Sequence, residues 1–402
     1  MDIKTWINLI CLIGIIAIIS VPCTSVAQTE EDILQRVDEL QKQVDEQQKT
    51  IDELNAKTNT LGLSKHIDNM SVKGDLRVRY ERRDLDLAAG GDEVLERMRA
   101  RFRAGLVWKS SSENWEVGAG LTTGGIKGTS TFDTWGEEAF FETGDIRLDY
   151  AYGRHTLGPF KLTAGQQKNP FETSWLLWDS DLRPTGFTAQ YDGIVLFVTA
   201  GAYDIKQYEL ANENIDFGMF YAAQAGTNID ADIIKFTLAG ALYGFDGVFE
   251  RNERPSPDYS YLIGDIYGSA GFSLAGVGMS LYFQTFYNFG ADGNTGEGVL
   301  EGDLNPEDEN LGWVVGIKAK IAILSAAYSY AQVGADSCVG GLKDATFGSG
   351  VSSTDIKGHK LSASVSLPKN FSVGWNILIY EAMERSSEDE AILYQADLTY
   401  KF

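Results

Sequence analysis

The chain has 402 residues, room for two or three soluble domains or for one large barrel. Its formal net charge of −23 argues against nucleic acid as a partner, because binding phosphates needs a basic face. With 43 Gly, only 8 Pro and 11% aromatic residues, the composition suits many strands joined by turns better than it suits helices.

In chain order, the first element is a targeting segment. Lys4 gives a short positive region, Leu9 to Ile19 is an almost unbroken apolar run, and Ser25-Val26-Ala27 supplies small residues for cleavage before Gln28. Residues 1–27 are therefore read as a signal peptide. The rival reading, an uncleaved membrane helix, needs a span of about 20 apolar residues, longer than this run. A lipid attachment at Cys23 is disfavoured by Pro22. Cys11 and Cys23 would leave with the signal, so Cys338 stands alone and no metal-type Cys spacing exists. His66, His155 and His359 are far apart and receive no chemical role. No catalytic residue, metal or cofactor is expected.

Residues 28–64 form the second segment. Over 30–61, Ile33, Val37, Leu40, Val44, Ile51, Leu54 and Leu61 recur at steps of three and four, with Gln47 and Thr58 as polar interruptions. That is a heptad seam, so a short α-helical coiled coil is expected. The alternative is an amphipathic helix lying on its own domain. Self-association through this seam favours a dimer in isolation, a preference that a trimeric barrel can override, so the seam does not settle the number.

From residue 70 onward the period changes to two. Val72, Leu76, Val78 and Tyr80 oppose Lys73, Asp75, Arg77, Arg79 and Glu81. Met98, Ala100, Phe102, Ala104, Leu106 and Trp108 oppose Arg97, Arg99, Arg101 and Arg103. The last segment sets Tyr394, Ala396, Leu398, Tyr400 and Phe402 against Gln395, Asp397, Thr399 and Lys401. Strands of this kind are predicted near 70–82, 97–109, 113–124, 144–152, 159–168, 184–192, 194–203, 215–225, 231–244, 263–274, 277–289, 311–321, 323–333, 356–367, 371–384 and 391–402. The connections alternate. Long ones are 83–96, 125–143, 169–183, 204–214, 245–262, 290–310 and 334–355, and short ones include 110–112, 192–193, 275–276 and 368–370. Only the last external connection, 385–390, is short. Long outer loops and short periplasmic turns belong to a transmembrane β-barrel. The fold expected for 70–402 is thus a 16-stranded antiparallel outer-membrane barrel, and sixteen strands leave a water-filled bore. A soluble sandwich also alternates, but its apolar face needs a second sheet to cover it.

Two features point into that bore. Arg77, Arg79, Arg97, Arg99, Arg101 and Arg103 share the polar face of two adjacent strands, a basic ladder that stays charged at any relevant pH. The third long loop, 169–183, carries Trp175, Leu176, Leu177 and Trp178 in a row, which need burial. Folding inward would bury them and bring Glu172, Asp179, Asp181 and Arg183 to the channel. The alternatives are a subunit interface or a membrane-rim belt for the loop, and lipopolysaccharide binding or a salt-bridge network for the arginines. The loop 290–310 carries Asp292, Glu297, Glu301, Asp303, Glu307, Asp308 and Glu309 without EF-hand spacing, so a solvated acidic loop is favoured over a calcium site.

Gly165-Gln166-Gln167-Lys168-Asn169-Pro170-Phe171, then Leu177-Trp178-Asp179-Ser180-Asp181 and Gly186, resemble the bacterial "putative porin" family. So do the signal, the coiled coil and Gly74-Asp75-Leu76-Arg77-Val78-Arg79-Tyr80. The resemblance spans essentially the whole mature chain. The final strand, with Tyr394, Leu398, Tyr400 and the C-terminal Phe402, resembles the recognition signal of outer-membrane barrels. The resemblance implies a homotrimer embedded in outer-membrane lipid and lipopolysaccharide, and a third loop that folds inward to face the basic ladder. The functions that follow are general diffusion of small hydrophilic solutes and ions, an anion- or phosphate-selective pore, or an anchor that joins the membrane to peptidoglycan through the coiled coil. A barrel enzyme ranks last, since no nucleophile stands near a His or a paired carboxylate.

Overall fold

A computed structural model describes residues 30–60, 69–88, 90–125, 130–136, 144–205, 218–246, 261–293, 305–384 and 389–402. The signal-peptide segment, Leu61, His66 and the acidic residues Glu297, Glu301 and Asp303 lie outside the described residues. The chain divides into two units at 68/69.

The first unit contains helix α1, Glu30–Thr60. Its seam residues Val37, Leu40, Val44 and Ile51 are each about half exposed.

The second unit is a closed antiparallel barrel of sixteen strands. They are β1 (Met70–Asp86), β2 (Asp92–Lys109), β3 (Trp115–Thr123), β4 (Ile146–Leu157), β5 (Phe160–Gln166), β6 (Thr185–Asp192), β7 (Leu196–Asp204) and β8 (Met219–Ala231). They continue as β9 (Ile234–Asp246), β10 (Leu262–Leu274), β11 (Val277–Asn288), β12 (Leu311–Ile321), β13 (Leu324–Val333), β14 (Ile356–Ser366), β15 (Phe371–Ala382) and β16 (Glu390–Lys401). Each pairs with its sequence neighbours. β1 pairs with β16 from Asp75↔Lys401 to Asp86↔Glu390, which leaves no free edge. The seam is locked at its lower end, where Gly74 and Phe402 exchange backbone hydrogen bonds of 3.0 and 3.1 Å. A side chain at Gly74 would strike the Phe402 ring, so glycine is required there.

The alternation read in the sequence is the alternation of the wall. Every strand presents an exposed apolar side chain outward, from Leu76, Phe102 and Leu121 round to Leu361, Ile377 and Leu398. A belt of that extent would be unfavourable in water and is matched to hydrocarbon. The inward face holds buried polar residues such as Thr163, Thr188, Gln224, Gln284, Gln395 and Thr399. Of the C-terminal strand residues, Tyr394, Leu398 and Phe402 face outward, and Tyr400 tilts against Phe371 at 4.7 Å. His155 stacks on Trp115 at 4.1 Å, and His359 meets the Tyr328 hydroxyl at 2.9 Å.

Three boundaries differ from the sequence expectation. The connection 83–96 is not a long loop. β1 and β2 continue as one tall hairpin to Asp86↔Asp92, held by charged rather than apolar alternation, with Arg82 bridging Asp84 and Glu96 at 2.8 Å each. The turn between β8 and β9 falls at 232–233, beyond the predicted strand end at 225. β4 runs on to Leu157 because a bulge opposite Gly120/Leu121 absorbs Asp149 and resets its alternation. That bulge turns Asp149 inward, where it pairs with Arg183 at 3.0 Å.

Candidate channel and its constriction

The entrance of the third loop explains the motif that precedes it. Gly165 has φ +113°, and a Cβ there would lie 2.3 Å from the Ala151 carbonyl oxygen, so only glycine lets β5 approach β4 this closely. Gln167 is buried and donates to the Thr188 hydroxyl. Asn169 accepts the Phe171 N–H at 3.0 Å, a tight turn that sends the chain into the lumen.

Within the lumen the loop packs on the inner wall of β7 to β11. Phe171, Leu176, Leu177 and Trp178 are buried there. Phe171 meets Tyr203 and Tyr243 edge-on at 6.2 and 5.7 Å, and Trp178 lies 5.8 Å from Phe220. Two wall glutamines satisfy its backbone. Gln224 accepts from Glu172 N–H and donates to Glu172 C=O, both at 2.8 Å. Gln284 accepts from the N–H and hydroxyl of Ser174 and donates to Thr173 and Asp265. The Trp175 indole N–H donates to Tyr282 at 3.0 Å.

A second loop, 334–355, also turns inward and joins the third. Asp179 N–H donates to Leu342 C=O at 2.7 Å, and the Asp179 carboxylate accepts from Asp181 N–H at 2.8 Å and Ala345 N–H at 3.1 Å. Asp179 is thus a tie between loops, and burial raises its carboxyl above the usual range. Phe347 packs edge-on to Trp175 at 5.3 Å. Lys360 on β14 ion-pairs with Asp344 at 2.9 Å and sits 4.0 Å over the Trp175 ring. Burial works against the Asp344 charge, yet Lys360, Lys343 and the Thr346 N–H outweigh it and hold the carboxyl down at about 2. Cys338 is enclosed in the same loop, where burial pushes its thiol up to about 12.

The six arginines do share one face, but carboxylates interleave them. Arg79 makes a bidentate pair with Asp397 at 2.7 and 2.9 Å. Glu81 takes Arg97 at 2.5 Å and Arg99 at 3.7 Å. Asp75 takes Arg101 at 2.8 Å and Arg103 at 2.7 Å. Asp181 reaches Arg101 at 3.9 Å from the loop and accepts from the Thr131 hydroxyl at 2.7 Å. Arg77 is the most loosely held, with Thr399 at 3.1 Å and Asp397 at 3.8 Å. Arg101 and Arg79 side chains are only 5% and 10% exposed, whereas Arg77, Arg97 and Arg103 are 26–27% exposed and present the charge that water meets.

A residue that the sequence reading missed covers the ladder. Phe132, from the connection after β3, lies under four guanidinium groups, 4.3 Å from Arg79 and 5.2–5.9 Å from Arg101, Arg99 and Arg77. Its segment is held because Asp133 and Thr134 pair with Ala100 and Arg99 where β3 has ended. Sequence reasoning also missed Asp397 as the ladder's main acid, the glutamine anchors and the second loop. The clue for that loop was of the same kind as for the third: Val339, Leu342, Phe347 and Val351 are apolar residues in an external connection.

Between the arginine face and the two loops lies a polar gap of about 280 Å³, lined by Arg77, Arg99, Lys360, Asp179, Asp181 and Asp344 among others. Of the other loop residues singled out, Glu172 is exposed, Trp175 and Trp178 anchor the loop, and Arg183 closes its base on Asp149 and the carbonyls of Ser180 and Leu182.

Comparison with known proteins agrees with this architecture. Residues 88–262 match a family described as "Putative porin". No curated protein sequence matches the chain. The barrel is similar to OprB of Pseudomonas putida, with a TM-score of 0.56 at 12% identity over 86% of this chain and 96% of that one. It is similar also to an anion-selective porin from Comamonas acidovorans, with a TM-score of 0.51 at 10% identity over 83% of this chain and 99% of that one.

Proposed function

From a bacterial outer-membrane β-barrel whose residues 88–262 match the putative porin family, we propose a water-filled channel for passive diffusion of small hydrophilic solutes and ions. The observation that carries this reading is the polar gap left between the arginine face and the two infolded loops. Sixteen strands enclose more space than their side chains fill. The third loop occupies the β7–β11 side and the loop 334–355 reaches Tyr380 on β15 and Arg83 on β1, so the remaining gap lies against the wall of β1, β2 and β14 to β16.

In this reading the gap is the constriction. Wall arginines stand on one side, and Asp179, Asp181 and Asp344 on the other. Because the wall's own carboxylates already balance much of its charge, the gap acts mainly as a transverse dipole. Such a field orders water and turns dipolar solutes to a preferred orientation, and the narrowness sets the size limit. Phe132 trims the aperture on the arginine side.

Helix α1 would serve assembly. Its half-exposed Val37, Leu40, Val44 and Ile51 need a partner, and a homotrimer of barrels would bring three copies together. Tethering to peptidoglycan through this segment is compatible with a pore above it, and contact with lipopolysaccharide follows from the outer-leaflet position.

Purified protein inserted in planar bilayers should conduct in stable, reproducible steps. An electrically silent bilayer containing folded barrel would refute the channel. Liposome swelling with neutral sugars of increasing size then measures the aperture.

A further inference from the structure

The arginine ladder is the conspicuous charge in the lumen, but it is the most neutralised. Four carboxylates, Asp75, Glu81, Asp397 and Asp181, are set among its six guanidinium groups. Lys360 is matched by Asp344. Elsewhere in the lumen the balance differs. On β12, Val315 and Ile321 face outward and Val314 is buried inward, so Lys318 and Lys320 point into the bore. With Arg77 and its partner Asp397 they line a vestibule of about 590 Å³ at the short-turn end of the barrel, the two lysines being its charges without a matching acid. Neither has a carboxylate within ion-pair distance among the described residues, and Lys318 Nζ rests 5.0 Å from the Tyr282 ring centre.

The vestibule is continuous with the constriction, since Arg77, Asn376 and Leu378's strand neighbours border the passage and Arg77 and Asn376 line both spaces. Its floor carries the hydroxyls of Ser325, Ser362, Ser364 and Ser372. The neighbouring cavity on the β1–β5 side repeats the pattern. Lys73 and Lys168 line it, also without an ion pair among the described residues, beside Asp75, Glu116 and Asp149, which pair with arginines. On the third loop the carboxylates with no ion pair among the described residues are Glu172 and Asp179, and Asp179 is taken up by the Asp181 and Ala345 N–H groups. Unbalanced charge in a low-dielectric channel focuses the local potential, and a bore narrower than the Debye length of about 8–10 Å screens it incompletely.

We propose that Lys318 and Lys320 set the charge preference of this channel, making the vestibule a collecting site for small oxyanionic solutes of the carboxylate and phosphate class. The inference rests on the channel reading above. The constriction then sorts by size and dipole, and the vestibule sorts by sign. The hydroxyls of Ser325, Ser364 and Ser372 supply neutral donors that replace part of an oxyanion's hydration without holding it tightly, which a diffusion pathway requires, while Ser362 donates to Asn376 at 2.7 Å.

The test is the reversal potential of the reconstituted full-length protein in a KCl gradient kept between about 0.01 and 0.1 M, where the Debye length is about 10–30 Å. Wild type should prefer chloride. A lysine acting across about 8 Å of water enriches anions about twofold, so Lys318→Gln with Lys320→Gln should lower the chloride-to-potassium permeability ratio at least about fourfold. Removing a matched pair away from the constriction, Lys235→Gln with Asp230→Asn, should leave the ratio nearly unchanged. Phosphate and acetate current through the wild type should fall in the lysine double variant more than neutral sugar flux does. Acetylating lysines of the wild-type protein, which spares guanidinium groups, should lower the ratio at least as far, because it reaches Lys73 and Lys168 as well. A cation-preferring wild type, or an anion preference untouched by the double variant, overturns the proposal while leaving the channel in place. No conductance at all refutes the channel itself.

Discussion

Gln284→Leu should release the third loop without disturbing the barrel. Gln284 is fully buried on β11, and its amide binds Ser174 N–H at 2.9 Å, Thr173 Oγ1 at 2.9 Å and Asp265 at 2.8 Å, besides the Ser174 hydroxyl. Leucine fills similar volume but offers no polar atom. The hydroxyls can rotate toward water. Ser174 N–H and the Asp265 carboxylate cannot, and each stranded buried group costs about 1–3 kcal/mol. The docked loop therefore loses about 2–6 kcal/mol, a rise of roughly 30-fold to 10⁴-fold in its undocked fraction. Opposing this, Phe171, Leu176, Leu177 and Trp178 each contribute about 1.5–3 kcal/mol by burial, so the loop should open transiently rather than permanently. Single-channel recording should show added noise and excursions to larger conductance. Limited trypsin treatment should cut after Lys168, at the start of the loop, since Pro184 blocks cleavage after Arg183. Strand pairing lies elsewhere, so the heat-dependent gel shift of the barrel should hold. Unchanged noise together with unchanged trypsin resistance would show that the glutamine contacts do not hold the loop.

Phe132→Ala should enlarge the aperture, because it removes the ring that lies against Arg79, Arg99, Arg101 and Arg77. Each such contact is worth about 0.5–2 kcal/mol, so the arginines should also gain mobility; open-channel conductance should rise, and a conductance equal to wild type would place Phe132 outside the passage. Acid should undock the loop 334–355 late. The Asp344 carboxyl sits at about 2 against an ordinary 3.8, so its contribution is complete above about pH 4 and is lost as pH falls through 2. Asp179, raised by burial, titrates the other way and does not weaken docking as acid protonates it. Conductance noise followed from pH 6 downward should rise only below about pH 4, and Asp344→Asn should flatten that dependence.

Strand number, the lipid face and the inward arginine face were legible because each follows from a local rule. Side chains alternate every residue along a strand, so Leu76 and Arg77 must point to opposite faces wherever the sheet goes. The third loop was legible for a related reason: Trp175 to Trp178 cannot stay in water. The sequence is silent on partnership across the wall. Asp397 lies over three hundred residues from Arg79, and only barrel closure between β1 and β16 sets them side by side. The same closure decides that the ladder is largely neutralised, whereas Lys318 and Lys320, on β12, have no ion pair among the described residues. A basic stripe reads identically in one dimension whether or not carboxylates from distant strands flank it. The bulge at Asp149, the seat of Phe132 and the tie from Asp179 to the second loop likewise depend on which backbone ends where in three dimensions. Period and hydropathy therefore determined the barrel, and the tertiary pairing of distant strands and loops decided where its free charge stands.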